Sequence, residues 1–244
     1  MLFQFGICFL CTLPWVASNG IGALRSDRPM THIVRGVAGC LSFYAFYYSL
    51  YQIPLVDASL LRHCAPLIVP LILLLSFSVA IPPLRWLGLL LGFAGIAIIL
   101  RPGQEGVNIW HVLGLMSGVG LAISMVLTRV LSQREPETRI LFYYFAIALL
   151  FAIPFYLHNP EPIPLSALPW LCTIGLGMYI AFIPYTRAYR YAKASVVAPT
   201  SYFAIIFAGI LDWLFWDYLP DGWTVLGAAL VLVAGIIVVA QGEQ

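Results

Sequence analysis

Apolar runs of about 18–20 residues recur along the whole chain, and this is roughly the length that an α-helix needs to cross a bilayer. Of the 244 residues, 62% are hydrophobic and 9% are charged, whereas soluble domains carry about 25% charged residues. The sequence therefore predicts an all-α polytopic membrane protein. Turn-forming prolines and glycines separate nine predicted spans, at residues 2–24, 33–50, 56–79, 84–100, 109–128, 140–157, 167–186, 194–216 and 223–240.

The connections between the predicted spans are too short to hold a soluble catalytic domain. The sequence also contains no HExxH zinc pair, no GxSxG elbow and no phosphate-binding loop. We therefore expect no enzymatic activity, no cofactor and no metal site, and an intramembrane enzyme is the less favoured alternative. The five cysteines lie inside apolar runs and are interpreted as small buried side chains. The expected partners are the lipid bilayer and a small molecule, with no nucleic acid.

The basic residues predict how the chain is oriented. Cytoplasmic loops of membrane proteins carry an excess of Lys and Arg. Ten of the twelve basic residues are assigned to loops on one side, namely Arg25, Arg28, Arg35, Arg85, Arg129, Arg134, Arg139, Arg187, Arg190 and Lys193. We therefore expect that side to be cytoplasmic, in a multi-pass protein of the cell inner membrane with a cytoplasmic C-terminus.

An internal repeat predicts two domains. Ala58-Ser59, followed by Pro66, corresponds to Ala194-Ser195, followed by Pro199. The repeat divides the chain into residues 1–105, with four predicted spans, and residues 106–244, with five. Units of five spans enter the membrane from opposite sides and form an inverted pair, which is typical of secondary transporters. We expect the first unit to lack one span that full-length relatives have.

Further short motifs follow one another in a characteristic order. They are His32–Gly36, Ile53–Ser59 with Pro66, Arg85–Gly88, Gly92–Gly95, Arg101-Pro102, Ala188–Ser195, Ala198-Pro199 with Tyr202, and Pro220-Asp221 with Gly227-Ala228. In this order and spacing the sequence resembles the EamA-type permeases of the drug/metabolite transporter superfamily. The resemblance implies a carrier of small metabolites with ten spans in two inverted five-helix units. Ser26–Pro29, ahead of His32 and Arg35, is similar to the S-adenosylmethionine carriers of the family.

The resemblance implies a secondary transporter that moves a small organic metabolite across the inner membrane by alternating access. The expected substrates are amino-acid-like, nucleoside-like or S-adenosylmethionine-like. Two departures leave a truncated, non-transporting remnant open as the alternative. Family members usually close the fourth span of each repeat with a Gly-Glu pair, where this chain has Ser78-Val79 and Trp216-Asp217. The second departure is that the first of the family's ten spans is missing from the predicted set.

Arg62 and Asp212 are the charged residues that the prediction places more than about one helical turn from the end of a span. At a helical rise of ~1.5 Å per residue, Arg62 lies roughly 9 Å and Asp212 roughly 8 Å from the same membrane surface. Such residues usually face a cavity or a partner, because a charge at the bilayer centre costs about 2.5–3.5 kcal/mol. We hypothesise that the two pair, or that Arg62 binds a substrate carboxylate while Asp212 takes a coupling proton or cation. Alternatively, Arg62 extends towards the surface and Asp212 caps a helix end.

Four tyrosines and one histidine complete the predicted substrate site. Tyr44 and Tyr47 lie on one helical face, while Tyr185 and Tyr202 lie close to prolines in the second repeat. Such rings can stack on a planar or cationic metabolite, and packing or lipid-interface contact is the alternative. His63 is either a proton relay or a side chain packed against its helix.

Prolines and small residues predict how the helices bend and pack. Each of Pro66, Pro70, Pro184 and Pro199 either interrupts its helix or only kinks it. The GxxxG pairs Gly88–Gly92 and Gly114–Gly118 favour close contact between helices, either inside the chain or in a homodimer.

Overall fold

The computed structural model describes residues 2–53, 55–78, 81–100, 108–158, 164–216 and 221–240. This part of the chain is all α, as the sequence predicts, and contains no strand. Its eleven α-helices are α1 (Leu2–Asn19), α2 (Pro29–Ser49), α3 (Leu55–Arg62), α4 (Ala65–Phe77), α5 (Pro83–Leu100), α6 (Ile109–Ser132), α7 (Glu137–His158), α8 (Leu168–Tyr191), α9 (Ala194–Val197), α10 (Phe203–Trp216) and α11 (Gly222–Ala240).

Seven helical segments of the described residues are long and apolar enough to cross a membrane. They are Leu2–Asn19, Asp57–Phe77, Ile109–Ser132, Glu137–Pro154, Leu168–Tyr191, Ala194–Phe215 and Gly222–Ala240. The apolar helix Pro83–Ile99 is shorter, and α2 has a suitable length of 21 residues. The chain is therefore a multi-pass membrane protein. The helices lie where the nine spans were predicted, with α3–α4 and α9–α10 each forming one predicted span in pieces.

The chain forms two compact units, and each contains residues of both sequence repeats. The first unit comprises residues 1–40 and 127–191, and the second comprises residues 41–126 and 192–244. The repeats of residues 1–105 and 106–244 stay a prediction about sequence duplication. In the first unit α1 packs closely on α8, because a Cβ atom on Gly175 would lie 2.8 Å from Cβ of Ile7. The Cys8 thiol donates a hydrogen bond to the Gly175 carbonyl at 3.2 Å.

Glycines bring α5 and α11 together in the second unit. A Cβ atom on Gly95 would lie 2.7 Å from the carbonyl oxygen of Gly227, and one on Gly227 would lie 2.6 Å from that of Gly95. A Cβ atom on Gly88 would lie 2.8 Å from a methyl carbon of Val238 in α11. The close helix contacts predicted from the glycine pairs are therefore confirmed as contacts inside the chain.

Two of the four prolines for which a break or a kink was predicted mark breaks in a helix. Pro66 follows the break between α3 and α4, and Pro199 lies in the 3₁₀ segment Ala198–Tyr202 between α9 and α10. Pro70 and Pro184 lie inside continuous helices. Because a proline has no N–H to donate to the carbonyl four residues earlier, Pro66 and Pro199 cannot continue the helical hydrogen bonding of the preceding segments.

Candidate functional site

Arg62 ends α3 at the break in its span and contacts α2. Its Nη1 atom donates hydrogen bonds to Oγ of Ser42 at 2.9 Å and to the Ser42 carbonyl oxygen at 3.2 Å. Its guanidinium carbon lies 4.8 Å from the ring centroid of Phe43 and 5.1 Å from that of Phe46. These distances are within the range of cation–π attraction. The arginine is therefore held against an aromatic face of α2 in the second unit.

A glycine on α6 allows its backbone to approach the end of α3. A Cβ atom on Gly118 would lie 2.8 Å from the carbonyl oxygen of Leu61 and 3.3 Å from that of Arg62. One residue earlier, the Ser117 carbonyl accepts a hydrogen bond of 2.6 Å from Oγ of Ser42. Helices α2, α3 and α6 thus converge at Arg62 and position its side chain.

The structure places His63, Tyr44 and Tyr47 in this part of the second unit, with different exposures. The Nδ1 atom of His63 donates to the Ser59 carbonyl oxygen at 2.7 Å, as expected if the ring packs against its own helix. Tyr44 is half-buried. Tyr47 is 41% exposed, and its ring centroid lies 5.7 Å from that of Phe46, so it borders an aromatic contact of Arg62.

Tyr202 lies in a small apolar core of the second unit. Its side chain packs with Ile96 and Val231 and is 2% exposed. Its hydroxyl oxygen is buried without a hydrogen-bond partner among the described residues. The side chain of Asp212 lies outside the described part of the structure, so its pairing with Arg62 stays a prediction.

Arg35 is a fully buried arginine inside α2 in the first unit. It is 1% exposed, and its Nε atom donates a hydrogen bond of 2.6 Å to Oγ1 of Thr128. Its guanidinium carbon lies 4.5 Å from the ring centroid of Tyr144. Tyr185 and Tyr189 lie close enough to act on the charge electrostatically. We call these five residues the Arg35 cluster, and it includes the predicted site residue Tyr185.

From the sequence, Arg35 stands at the start of the span predicted at residues 33–50 and is counted with the loop residues; the structure places it deeper, so the loop assignment is wrong. Helix α2 begins at Pro29, so the arginine lies roughly 9 Å inside the helix at ~1.5 Å per residue. The signal that could have found it is the proline, which is common at the first position of a helix. With α2 starting there, His32 and Arg35 both lie inside the helix.

A buried hydrogen-bonded pair of side chains lies one turn before Arg35. The Nε2 atom of His32 lies 2.7 Å from Oε2 of Glu135, and the side chains are 1% and 4% exposed. Oε1 of Glu135 accepts a hydrogen bond from the Ser26 hydroxyl, and the His32 ring stacks on Tyr143 with centroids 4.4 Å apart. This cluster joins the segment before α2 to the α6–α7 connection, and it was not predicted from the sequence.

Comparison with known proteins assigns this architecture to a family. The sequence profile of the EamA-like transporter family matches residues 1–101 and residues 108–240. The chain belongs to the EamA-like transporter family. The resemblance stated from the sequence motifs is therefore confirmed.

Relatives within this similarity are named as small-molecule transporters. The pseudopaline exporter of Pseudomonas aeruginosa is 36% identical over 220 residues, which cover 89% of this chain and 77% of the exporter. The riboflavin transporter of Rhizobium johnstonii is 29% identical over 245 residues, which cover 96% of this chain and 78% of that transporter. The S-adenosylmethionine uptake transporter of Rickettsia bellii is 22% identical over 242 residues, which cover 99% of this chain and 83% of that transporter. These names point to transport and not to enzymatic activity.

A solved crystal structure shares the fold. It has 21% sequence identity and a TM-score of 0.82, and the match covers 99% of this chain and 86% of that chain.

Proposed function

We propose that this EamA family member is a secondary transporter that moves a small organic metabolite across the inner membrane by alternating access. The observation that carries the proposal is the break in the Asp57–Phe77 span, where Arg62 lies against the aromatic rings of Phe43 and Phe46. Secondary transporters commonly form substrate sites at interrupted helices. The substrate is amino-acid-like, nucleoside-like or S-adenosylmethionine-like, and the names of the relatives support a small organic solute.

The proposed roles follow from the chemistry of the side chains. Arg62 binds an anionic group of the substrate or pairs with Asp212, which takes the coupling proton or cation. The aromatic rings supply stacking surfaces for the organic part of the substrate. The residues proposed for this purpose are Tyr44, Tyr47, Tyr185 and Tyr202, and His63 completes the set as a packed neighbour of Arg62.

The proposed orientation has a cytoplasmic C-terminus, because most basic residues are assigned to that side. Reporter fusions to the C-terminus test it in whole cells. A fused green fluorescent protein is expected to fluoresce, and a fused alkaline phosphatase is expected to be inactive. The reverse pattern would contradict the orientation.

Transport itself is tested in a bacterial host that lacks its own carriers for the chosen solutes. Labelled S-adenosylmethionine, riboflavin and a set of amino acids and nucleosides serve as substrates. Uptake and efflux are both measured, because the relatives include an exporter and uptake transporters. We expect saturable movement of one of these solutes.

The site assignment is tested with Arg62→Lys and Asp212→Asn in the same host, at matched protein levels in the membrane. Asp212→Asn keeps the size of the side chain and removes its charge, whereas Arg62→Lys keeps the charge and removes the planar guanidinium. We expect both to reduce transport. If both variants transport like the unchanged protein, the assignment of the site is wrong. If the unchanged protein moves none of the solutes, the result favours the non-transporting remnant.

A further inference from the structure

The charge of Arg35 is buried among neutral side chains. The residue is 1% exposed. It donates a hydrogen bond to the hydroxyl of Thr128 and lies over the ring of Tyr144. Among the described residues, no carboxylate lies within ion-pair distance of its guanidinium. A buried charge without a counter-charge costs several kcal/mol, so the Arg35 cluster would gain stability from an anion.

The described acidic side chains of the first unit are placed elsewhere. Glu135 is paired with His32 at 2.7 Å. Glu137 lies 3.4 Å from an arginine of α8. Asp27 is exposed in the segment before α2. None of these three side chains therefore compensates the charge of Arg35.

A buried hydrogen-bond donor lies close to this charge. Tyr189 is 0% exposed, and its hydroxyl has no hydrogen bond within the usual distance and angle limits in the described part of the chain. Tyr185 acts on that hydroxyl electrostatically and through a side-chain hydrogen bond that is looser than these limits, and both tyrosines act on the charge of Arg35. One ligand that accepts hydrogen bonds from Arg35 and Tyr189 would satisfy both groups.

Aromatic rings surround the same charge and favour an organic anion. The ring under Arg35 belongs to Tyr144, which stacks on Phe182 with centroids 5.5 Å apart and an interplanar angle of 19°. Phe182 in turn lies 5.5 Å from the ring of Tyr185. Ring faces gain free energy by covering apolar or planar surface, and a small inorganic ion offers none.

We propose that Arg35, together with Tyr185 and Tyr189, binds a carboxylate group of the transported metabolite. The planar guanidinium matches the two oxygens of a carboxylate, and the rings of Tyr144 and Phe182 cover the organic part of the solute. Binding removes the cost of the buried charge, so the first unit is more stable with the solute than without it. This inference rests on the proposed transport function and specifies the class of substrate.

Thermal unfolding of the purified, full-length protein in detergent tests the proposal without knowledge of the natural solute. The probes are two matched pairs, benzoate with benzamide and L-phenylalanine with L-phenylalaninamide, and inorganic phosphate, all at constant ionic strength. The variants are Arg35→Gln, Arg35→Lys and Arg134→Gln. The last removes an exposed arginine of the same unit and serves as the control.

We expect at least one carboxylate to raise the Tm of the unchanged protein and of Arg134→Gln, while its amide does not. Arg35→Gln should lose that shift. Arg35→Lys should need a roughly tenfold higher concentration, which corresponds to the loss of about one hydrogen bond to a charged group. Because Arg35→Lys keeps the charge, it remains informative if the glutamine variant does not fold.

Three results would overturn the proposal. One is that each acid and its amide shift Tm equally. Another is that Arg35→Gln folds and keeps the shift caused by the acid. The third is a larger shift with phosphate than with either carboxylate, which would reassign the site. Transport measured alongside separates the two proposals: binding without transport contradicts the function, and normal transport by Arg35→Gln contradicts the site.

Discussion

The Nε2 atom of His32 lies 2.7 Å from Oε2 of Glu135, and both side chains are buried in the first unit. Removing one partner of a buried hydrogen bond costs about 1–3 kcal/mol, because the other polar group is left without a partner away from water. We therefore expect Glu135→Ala to lower the free energy of unfolding by about 1–3 kcal/mol. Thermal unfolding in detergent should show a clear drop in Tm.

Glu137→Ala is the matched control for this change. Glu137 lies near Arg187 and Arg190, whose side chains are 59% and 48% exposed. Exposed ion pairs contribute about 0–1 kcal/mol, so this variant should unfold near the temperature of the unchanged protein. Equal drops in Tm for both variants would show that the buried pair has no special role in stability.

Gly95→Ala is expected to loosen the contact between α5 and α11. The added methyl group would lie 2.7 Å from the carbonyl oxygen of Gly227 and 3.0 Å from a methyl group of Val231. Overpacking of this kind costs about 1–3 kcal/mol. The control is Gly177→Ala, since a Cβ atom there meets no atom within 4 Å. A lower Tm is expected for Gly95→Ala, and the opposite ranking would contradict the packing described here.

Tyr202→Phe separates packing from a role in transport. The change removes a buried hydroxyl without a hydrogen-bond partner in the described residues, so Tm should stay the same or rise. Phenylalanine keeps the ring that we propose for stacking on the substrate, so transport should also stay the same. Tyr51→Phe, at a position that is 80% exposed, is the control. A loss of transport by Tyr202→Phe at an unchanged Tm would show that the hydroxyl acts in transport, which contradicts a role for the ring alone.

Arg62→Lys is expected to reduce transport more than stability. Lysine keeps the charge but has no planar group that can lie against Phe43 and Phe46 while donating to Ser42. We expect a loss of transport of at least roughly tenfold, equivalent to about one hydrogen bond from a charged donor. Flux measured at matched protein levels checks this, with Arg134→Lys as the control. Equal flux in both variants would contradict the role of Arg62.

The positions of the spans could be predicted from the sequence because the bilayer imposes a local rule. Backbone groups in lipid must be hydrogen-bonded within their own segment, so a long apolar run has few alternatives to a helix. The last span was predicted at residues 223–240, and α11 occupies Gly222–Ala240. The GxxxG pairs indicated close contacts between helices for a second reason, which is that close helix packing in a bilayer depends on small residues.

The environment of Arg35 could not be predicted in this way. An arginine near the end of a span can extend to the membrane surface or turn towards neighbouring helices. The outcome depends on Thr128 and Tyr144, which lie far away in sequence and contact Arg35 only in the fold. Residue periodicity along α2 carries no information about these partners.

The effect of the prolines also depended on the fold. Pro66 marks a break, whereas Pro184 lies in a continuous helix, although both occur in apolar runs. Neighbouring helices can satisfy the backbone groups that a proline releases. The choice between a break and a continuous helix is thus made by tertiary contacts that the sequence pattern does not contain.

Counterflow in proteoliposomes is a direct test of the alternating-access transport that we propose for this protein. Vesicles containing the purified protein are loaded with unlabelled solute and diluted into a trace of the labelled form. A carrier with alternating access should show a transient accumulation of label that saturates with solute concentration and is lost in Arg62→Lys. Accumulation no greater than in protein-free liposomes, or uptake that is independent of the solute loaded inside, would contradict it.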